Sequence, residues 1–184
     1  MLHNGKEYAR VSEIISQFAD FSGIPKNVLE RKAGIGTKVH EAINDIIKGD
    51  LPIVNKETSL YVESFNEWVS IAHPNWLEGE VRYYNDELMI TGCIDALATF
   101  QAKGETFLID FKTSVQESPT WVLQAHLYHL LLESANKSIA PSFLFIKLDK
   151  HGLQPRVYKY SFNVMTRQKC VQAVKKFWKD KELA

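Results

Sequence analysis

The sequence predicts an α/β (α+β) fold, with one mixed central β-sheet flanked by helices. Three observations carry that expectation. Helical and strand-like hydrophobic periods follow one another in the order helices, three strands, helix, two strands, helix, the order of a sheet covered by helices. The chain has 184 residues, enough for one domain with a sizeable core. No repeat, low-complexity tract or long linker divides it, so residues 1–184 read as a single domain.

Each element has its own signal. Val11-Ser12-Glu13-Ile14-Ile15 reads as a helix start with Ser12 as N-cap. A loop with Gly23 and Pro25 follows. Val39, Ile43, Ile46 and Ile47 recur at helical spacing and Gly49 marks the stop, which puts His40 early in a second helix. Thr58 to Ala72 is a third, with Leu60, Val62, Phe65, Trp68, Val69 and Ala72 apolar, and His73-Pro74-Asn75 breaks it. Three strand-like runs come next: Leu77 to Tyr84, Leu88 to Phe100 and Thr106 to Thr113. Asn85-Asp86-Glu87 turns the first into the second. Gln101-Ala102-Lys103-Gly104-Glu105 turns the second into the third, so these two read as a hairpin. Ser118-Pro119-Thr120 opens a long helix to about Ser134. Strands at Ser142 to Leu148 and Arg156 to Phe162 meet around His151-Gly152, and a last helix runs from about Val164 to Lys181.

Composition narrows the class. Hydrophobic content of 45% and charged content of 24% are ordinary for a soluble globular protein. No apolar run approaches the roughly 18 residues that cross a membrane, and the N-terminal residues show no apolar signal core. Cys93 and Cys170 fit no zinc or iron–sulfur spacing, so a cytoplasmic protein with reduced thiols is expected. Formal net charge is zero, but its distribution is uneven. Glu57, Glu63, Glu67, Glu78, Glu80, Asp86 and Glu87 cluster against Arg82. Arg167, Lys169, Lys175, Lys176, Lys179 and Lys181 crowd the C-terminus against Asp180 and Glu182. A basic helix of this kind either follows a phosphate backbone or is a solvated amphipathic face.

The chemistry concentrates on the hairpin. Asp95 lies in Thr91-Gly92-Cys93-Ile94-Asp95-Ala96-Leu97, and Asp110 and Lys112 close Phe107-Leu108-Ile109-Asp110-Phe111-Lys112. Side chains alternate along a strand, so Asp110 and Lys112 share a face. Two carboxylates and an ammonium at the end of an apolar hairpin are costly to keep dry unless paired or metal-bound. Either an oxygen-ligated divalent cation or a structural ion pair satisfies them. Glu80 on the preceding strand is a candidate third carboxylate, competing with a plain surface role. His40 is a candidate ligand that suits Mn²⁺ better than Mg²⁺, competing with a packing role. Gln124 and Tyr128 are four apart on a helix and share a face, from which both can bond phosphate or hold Lys112.

Read together, these segments resemble the PD-(D/E)XK nuclease superfamily, and within it the RecB-like exonuclease branch. The matching segments are Gly36-Thr37-Lys38-Val39-His40-Glu41, Glu80, Gly92-Cys93-Ile94-Asp95-Ala96, Ile109-Asp110-Phe111-Lys112-Thr113-Ser114 and Gln124-x-x-x-Tyr128. They span roughly residues 34 to 130. Each motif is weak alone; the ordered set is specific. Cys-Ile precedes Asp95 where the family's name pattern has Pro, as is usual in this branch. The resemblance implies a restriction-endonuclease-like core with the site at one edge of the sheet. It implies that Asp95 and Asp110 bind metal, with His40 and the Phe111 carbonyl as further ligands. Lys112 is catalytic and Glu80 completes the site. Gln124, Tyr128, Lys38 and Thr113 are the substrate-binding candidates. Mg²⁺ or Mn²⁺ is the expected cofactor. Many RecB-like nucleases carry a four-cysteine iron–sulfur cluster; this chain lacks those cysteines, and no cluster is expected.

The expectation is therefore a metal-dependent DNA nuclease (phosphodiester hydrolase), an exonuclease before an endonuclease, serving recombination, repair or phage DNA processing. The substrate is single- or double-stranded DNA, with no membrane partner. A homo-oligomer and a phage or host recombination partner stay open. So do two alternatives: an inactive nucleic-acid-binding module of the same fold, and a nuclease acting on RNA or structured junctions.

Overall fold

A computed structural model describes residues 1–20, 22–101 and 104–183. Its elements, in chain order, are β1 (Leu2–His3), β2 (Lys6–Glu7), β3 (Ala9–Arg10), α1 (Val11–Ser16), α2 (Lys26–Lys48), α3 (Ser59–Ala72), β4 (Asn75–Asn85), β5 (Ile90–Thr99), β6 (Phe107–Lys112), α4 (Thr120–Ser134), β7 (Ser142–Lys147), β8 (Arg156–Ser161) and α5 (Val164–Glu182). The mixed central sheet flanked by helices is present. β5 lies inside it, with β4 antiparallel along one edge from Asn75↔Thr99 to Asn85↔Ile90. Its other edge is divided. β3 runs parallel to it at Ile90 and Thr91, and β6 runs antiparallel to it from Ala96 to Ala98. β7 then pairs parallel with β6, and β8 antiparallel with β7.

Alternation along the strands feeds two cores. On one face Val39 and Ile43 of α2 and Tyr61, Phe65 and Trp68 of α3 pack on Ala96, Ala98, Ile109, Phe111 and Ile146. On the other, α1, α4 and α5 pack on Ile94, Leu97, Leu108, Phe143 and Phe145 through Ile14, Leu127, Leu131 and Val174. Phe65, Phe111, Phe143 and Phe145 are among the fully buried side chains, each stabilising by about 1.5–3 kcal/mol through burial. Cys93 and Cys170 are both free thiols. Among the described residues, no helix is long and apolar enough to cross a membrane.

Several boundaries differ from expectation. Arg10, not Ser12, is the residue before α1, and Glu13 caps it: its carboxylate accepts from the Arg10 backbone N–H at 2.7 Å and from Arg10 Nη2 at 2.8 Å. α2 begins at Lys26, directly after Pro25, so His40 sits past its middle and not early. Its first turns are exposed, and a helix bathed in water carries no apolar stripe to announce it. Gly49 ends α2 at φ 84°, a left-handed cap that glycine adopts without a steric penalty. The two-residue strands β1, β2 and β3 were not expected, being too short to show a period of two. Of the expected hairpin turn, Ala102 and Lys103 lie outside the described residues.

Candidate active site

The β5–β6 ladder stops at Ala96↔Ile109, and the next residues outward are Asp95 and Asp110. Asp95 takes over the work of the missing ladder carbonyl: its Oδ2 accepts the Phe111 backbone N–H at 2.8 Å. Its other oxygen meets His40 Nδ1 of α2 at 3.1 Å. Asp110 turns to the opposite layer. Its Oδ1 accepts from Gln124 Nε2 of α4 at 3.0 Å, and its Oδ2 lies 2.5 Å from Lys112 Nζ. That ammonium also donates to Gln124 Oε1 at 2.8 Å, and Gln124 Nε2 donates to the Tyr128 hydroxyl at 2.9 Å. Lys112 Nζ rests 5.2 Å from the centre of the Phe145 ring, a favourable place for a cation. Asp95, Asp110, Lys112, Gln124 and Tyr128 are thus brought together, and His40 with them.

One glycine makes this approach feasible. A Cβ at Gly92 would stand 2.8 Å from Tyr128 Cε1 and 3.0 Å from Leu131 Cδ1. Only a residue without a side chain lets α4 come this close to β5, and so lets Gln124 reach Asp110. Gly92 was part of the matched segment, but its packing role is visible only once α4 is docked.

The electrostatics pull the two carboxylates apart. Burial raises the Asp110 carboxyl, Asp95 raises it further, and Lys112 opposes; the result is about 6. Burial also works against Asp95, but His40, Lys112 and the Phe111 N–H outweigh it and hold Asp95 below the usual range. Burial would lower His40, yet Asp95 and then Asp110 overcome that and carry it to about 9. Burial, with both carboxylates, keeps the Tyr128 phenol firmly protonated. Acid–base sites and buried ion-pair networks both drive neighbouring titratable groups in opposite directions.

Fit to a divalent cation rests on the donor set. Among the described residues, no three His, Cys, Asp or Glu side chains converge as a ready cluster. The donors nevertheless suit such an ion. Asp110 Oδ2 is buried without a hydrogen bond of proper geometry, Lys112 touching it only as a close ion pair. Asp95 and Glu80 line one cleft with His40, Asn44 and Phe111, with room for about one water-sized sphere. Glu80 itself is exposed, contacted by Cys93 Sγ at 3.9 Å. Two inner carboxylates, an outer one and a neutral imidazole are donors of the kind a divalent cation takes. The contacts of His40 with Asp95 and of Lys112 with Asp110 keep the buried carboxylates partnered.

The remaining candidates lie farther out. Lys38 is exposed on α2 and acts with Arg31 to lower Glu57; it does not join the carboxylates. Thr113 is half-buried beside Gly36, and its carbonyl accepts from the Tyr61 hydroxyl at 3.5 Å. Lys176 lines a groove with Phe18, Leu123 and Leu127, and Lys175 one with Met89 and Trp178. The clefts that Lys175 and Lys176 line are not the one lined by Asp95 and Glu80.

Known proteins share this fold. The family model of the PD-(D/E)XK nuclease superfamily matches residues 53–180. Among solved structures, LHK-Exo in complex with dAMP superposes with a TM-score of 0.56 at 14% identity, covering 96% of this chain and 88% of that one. An alkaline exonuclease (LHK-Exo) from Laribacter hongkongensis gives 0.54 at 12% identity, with the same coverage of 96% and 88%. At such identities the likeness is one of fold. No curated protein matches the sequence.

Proposed function

The chain belongs to the PD-(D/E)XK nuclease superfamily, and we propose that it is a Mg²⁺- or Mn²⁺-dependent DNA nuclease of the RecB-like branch, acting as an exonuclease. The observation that carries this reading is the bonded set at the end of β6. Asp110, Lys112 and Gln124 form one network on one side, and Asp95 faces it across the end of the ladder. The fold shared with an alkaline exonuclease supports the choice of exonuclease. Action as one domain in cytoplasmic recombination, repair or phage DNA processing belongs to the same proposal and rests on family analogy.

Asp95, Asp110, His40, Glu80 and the Phe111 carbonyl are the groups that would hold the cation. When bound, it supplies positive charge to the phosphoryl oxygens and makes water a stronger nucleophile at neutral pH. The protein's own part is positioning and charge. Lys112 Nζ, fixed by Gln124 Oε1 and Asp110, is an ammonium aimed at the negative charge that develops on the phosphate. Gln124 holds Asp110 and Lys112 at once, so neither must reorganise during reaction. Tyr128 stays protonated and is bonded through Gln124, not available as a base. His40 must be neutral to act as a ligand, so cation binding there would release a proton from its imidazolium.

The test is digestion of end-labelled single- and double-stranded DNA by the purified protein, with and without Mn²⁺. Shortening from an end that requires the cation supports the reading. Retention of DNA without cleavage under any of these conditions supports instead an inactive binding module, and cleavage of RNA alone moves the substrate class.

A further inference from the structure

The register of the sheet sets three cations in one transverse row. Lys112 on β6 pairs in register with Lys147 on β7, and Lys147 pairs in register with Arg156 on β8. In-register residues of neighbouring strands point to the same face. That face is fixed one step earlier along the strands, where Asp110, Phe145 and Tyr158 are paired. Phe145 and Tyr158 both pack on Trp121 of α4. Lys112, Lys147 and Arg156 therefore stand beside the proposed active site, at the C-terminal end of the parallel pair β6–β7, where open α/β sheets place their ligands.

Like charges directly opposite one another across strands destabilise a sheet. Lys112 is compensated by Asp110. Among the described residues, neither Lys147 nor Arg156 has a carboxylate oxygen within 4.0 Å. Charge on an edge strand guards against edge-to-edge pairing, and β8 is such a strand. β7 is not: it lies between β6 and β8, so edge protection leaves Lys147 unexplained. Lys147 is half-buried, and at the end of the strands it also borders a cleft with Tyr61 of α3, Thr113, Ser114 and Asp149. Neighbouring strands are about 4.8 Å apart, so the three cations form a row roughly 10 Å long, and the flexible stems of lysine and arginine let their charged ends reach phosphates along one backbone.

The geometry points to a phosphate track: Lys147 and Arg156 bind successive backbone phosphates of the nucleic-acid strand whose scissile phosphate lies at Lys112. This rests on the nuclease reading and gives it a direction, since the strand runs from the carboxylates across β7 to the edge at β8. It also moves the principal phosphate contacts away from Lys38 and the lysines of α5.

Affinity for a single-stranded oligonucleotide, measured across a salt series in an Asp110→Asn background, tests it. Lys147→Gln and Arg156→Gln each weaken binding for every sequence tried, and each lowers the salt slope by about 0.7. Lys147→Arg keeps the slope of its parent. In the active protein, Lys147→Gln raises KM more than it lowers kcat. Parental affinity and slope in both Gln variants would overturn the track. The two readings fail separately. If the parent protein cleaves nucleic acid while the variants bind as it does, only the track falls. If the parent cleaves nothing while the variants lose affinity and slope, the track stands and the nuclease reading falls.

Discussion

Gln124 is the residue on which the others lean. It accepts from Lys112 and donates to Asp110 and Tyr128, so Gln124→Ala removes two hydrogen bonds to charged groups. Each is worth about 1.5–3 kcal/mol. We expect kcat to fall by about 10- to 100-fold, with far-UV circular dichroism unchanged; an unaltered kcat would show that Lys112 needs no support. His40 gives a second prediction, for the protein in chelator. Its folded value of about 9 lies above the ordinary 6.5, because Asp95 more than offsets burial. A raised folded value stabilises fully below pH 6.5, and the contribution is lost as pH rises through about 9. His40→Ala should therefore lower Tm more at pH 6 than at pH 9.5. Equal losses at both values would mean that the His40–Asp95 bond is not ionic. The shared face of Asp110 and Lys112 was legible in the sequence because a strand's period of two is rigid. The bond from Gln124 to Asp110 was not, because it joins a helix to a strand and depends on how α4 docks.

The hairpin, α3, α4 and the C-terminal strands and helix were readable because each buries one face. Val62, Phe65 and Trp68 recur at helical spacing and are all buried. The front of α2 was not readable, since most of it is exposed and Gly34 and Gly36 weaken its helical propensity. β3 was equally hidden. Its two residues make sense only beside Ile90 and Thr91, a contact far away in sequence. The contact between α4 and β5 supplies the prediction at this scale. Gly92→Ala puts a methyl within 2.8 Å of Tyr128 and 3.0 Å of Leu131, an overpacking that costs about 1–3 kcal/mol. Chemical denaturation should show that loss, and catalysis should fall with it as Gln124 is pushed from Asp110. A variant as stable as its parent would mean that α4 has slack.

Across the whole molecule, the site exists because β5 serves two partners on one edge. β3 takes its beginning and β6 its end, and Asp95 lies in the interval between them. Such a split cannot be seen in local periodicity, which is why the two strands read as a plain hairpin. Layers of helices then approach from both faces, α2 bringing His40 and α4 bringing Gln124, so each carboxylate is held from a different side. In the proposed reaction this arrangement sets the Lys112 ammonium against the charge developing on a phosphodiester. Removing one such contact costs about 3–4 kcal/mol, or roughly 10²- to 10³-fold in rate. The direct measurement is the single-turnover cleavage rate of end-labelled DNA by Lys112→Ala protein, beside its parent, at saturating Mn²⁺. We expect a loss of that size or more in a variant that is still folded and still binds DNA; cleavage at the parental rate would rule out that role for Lys112.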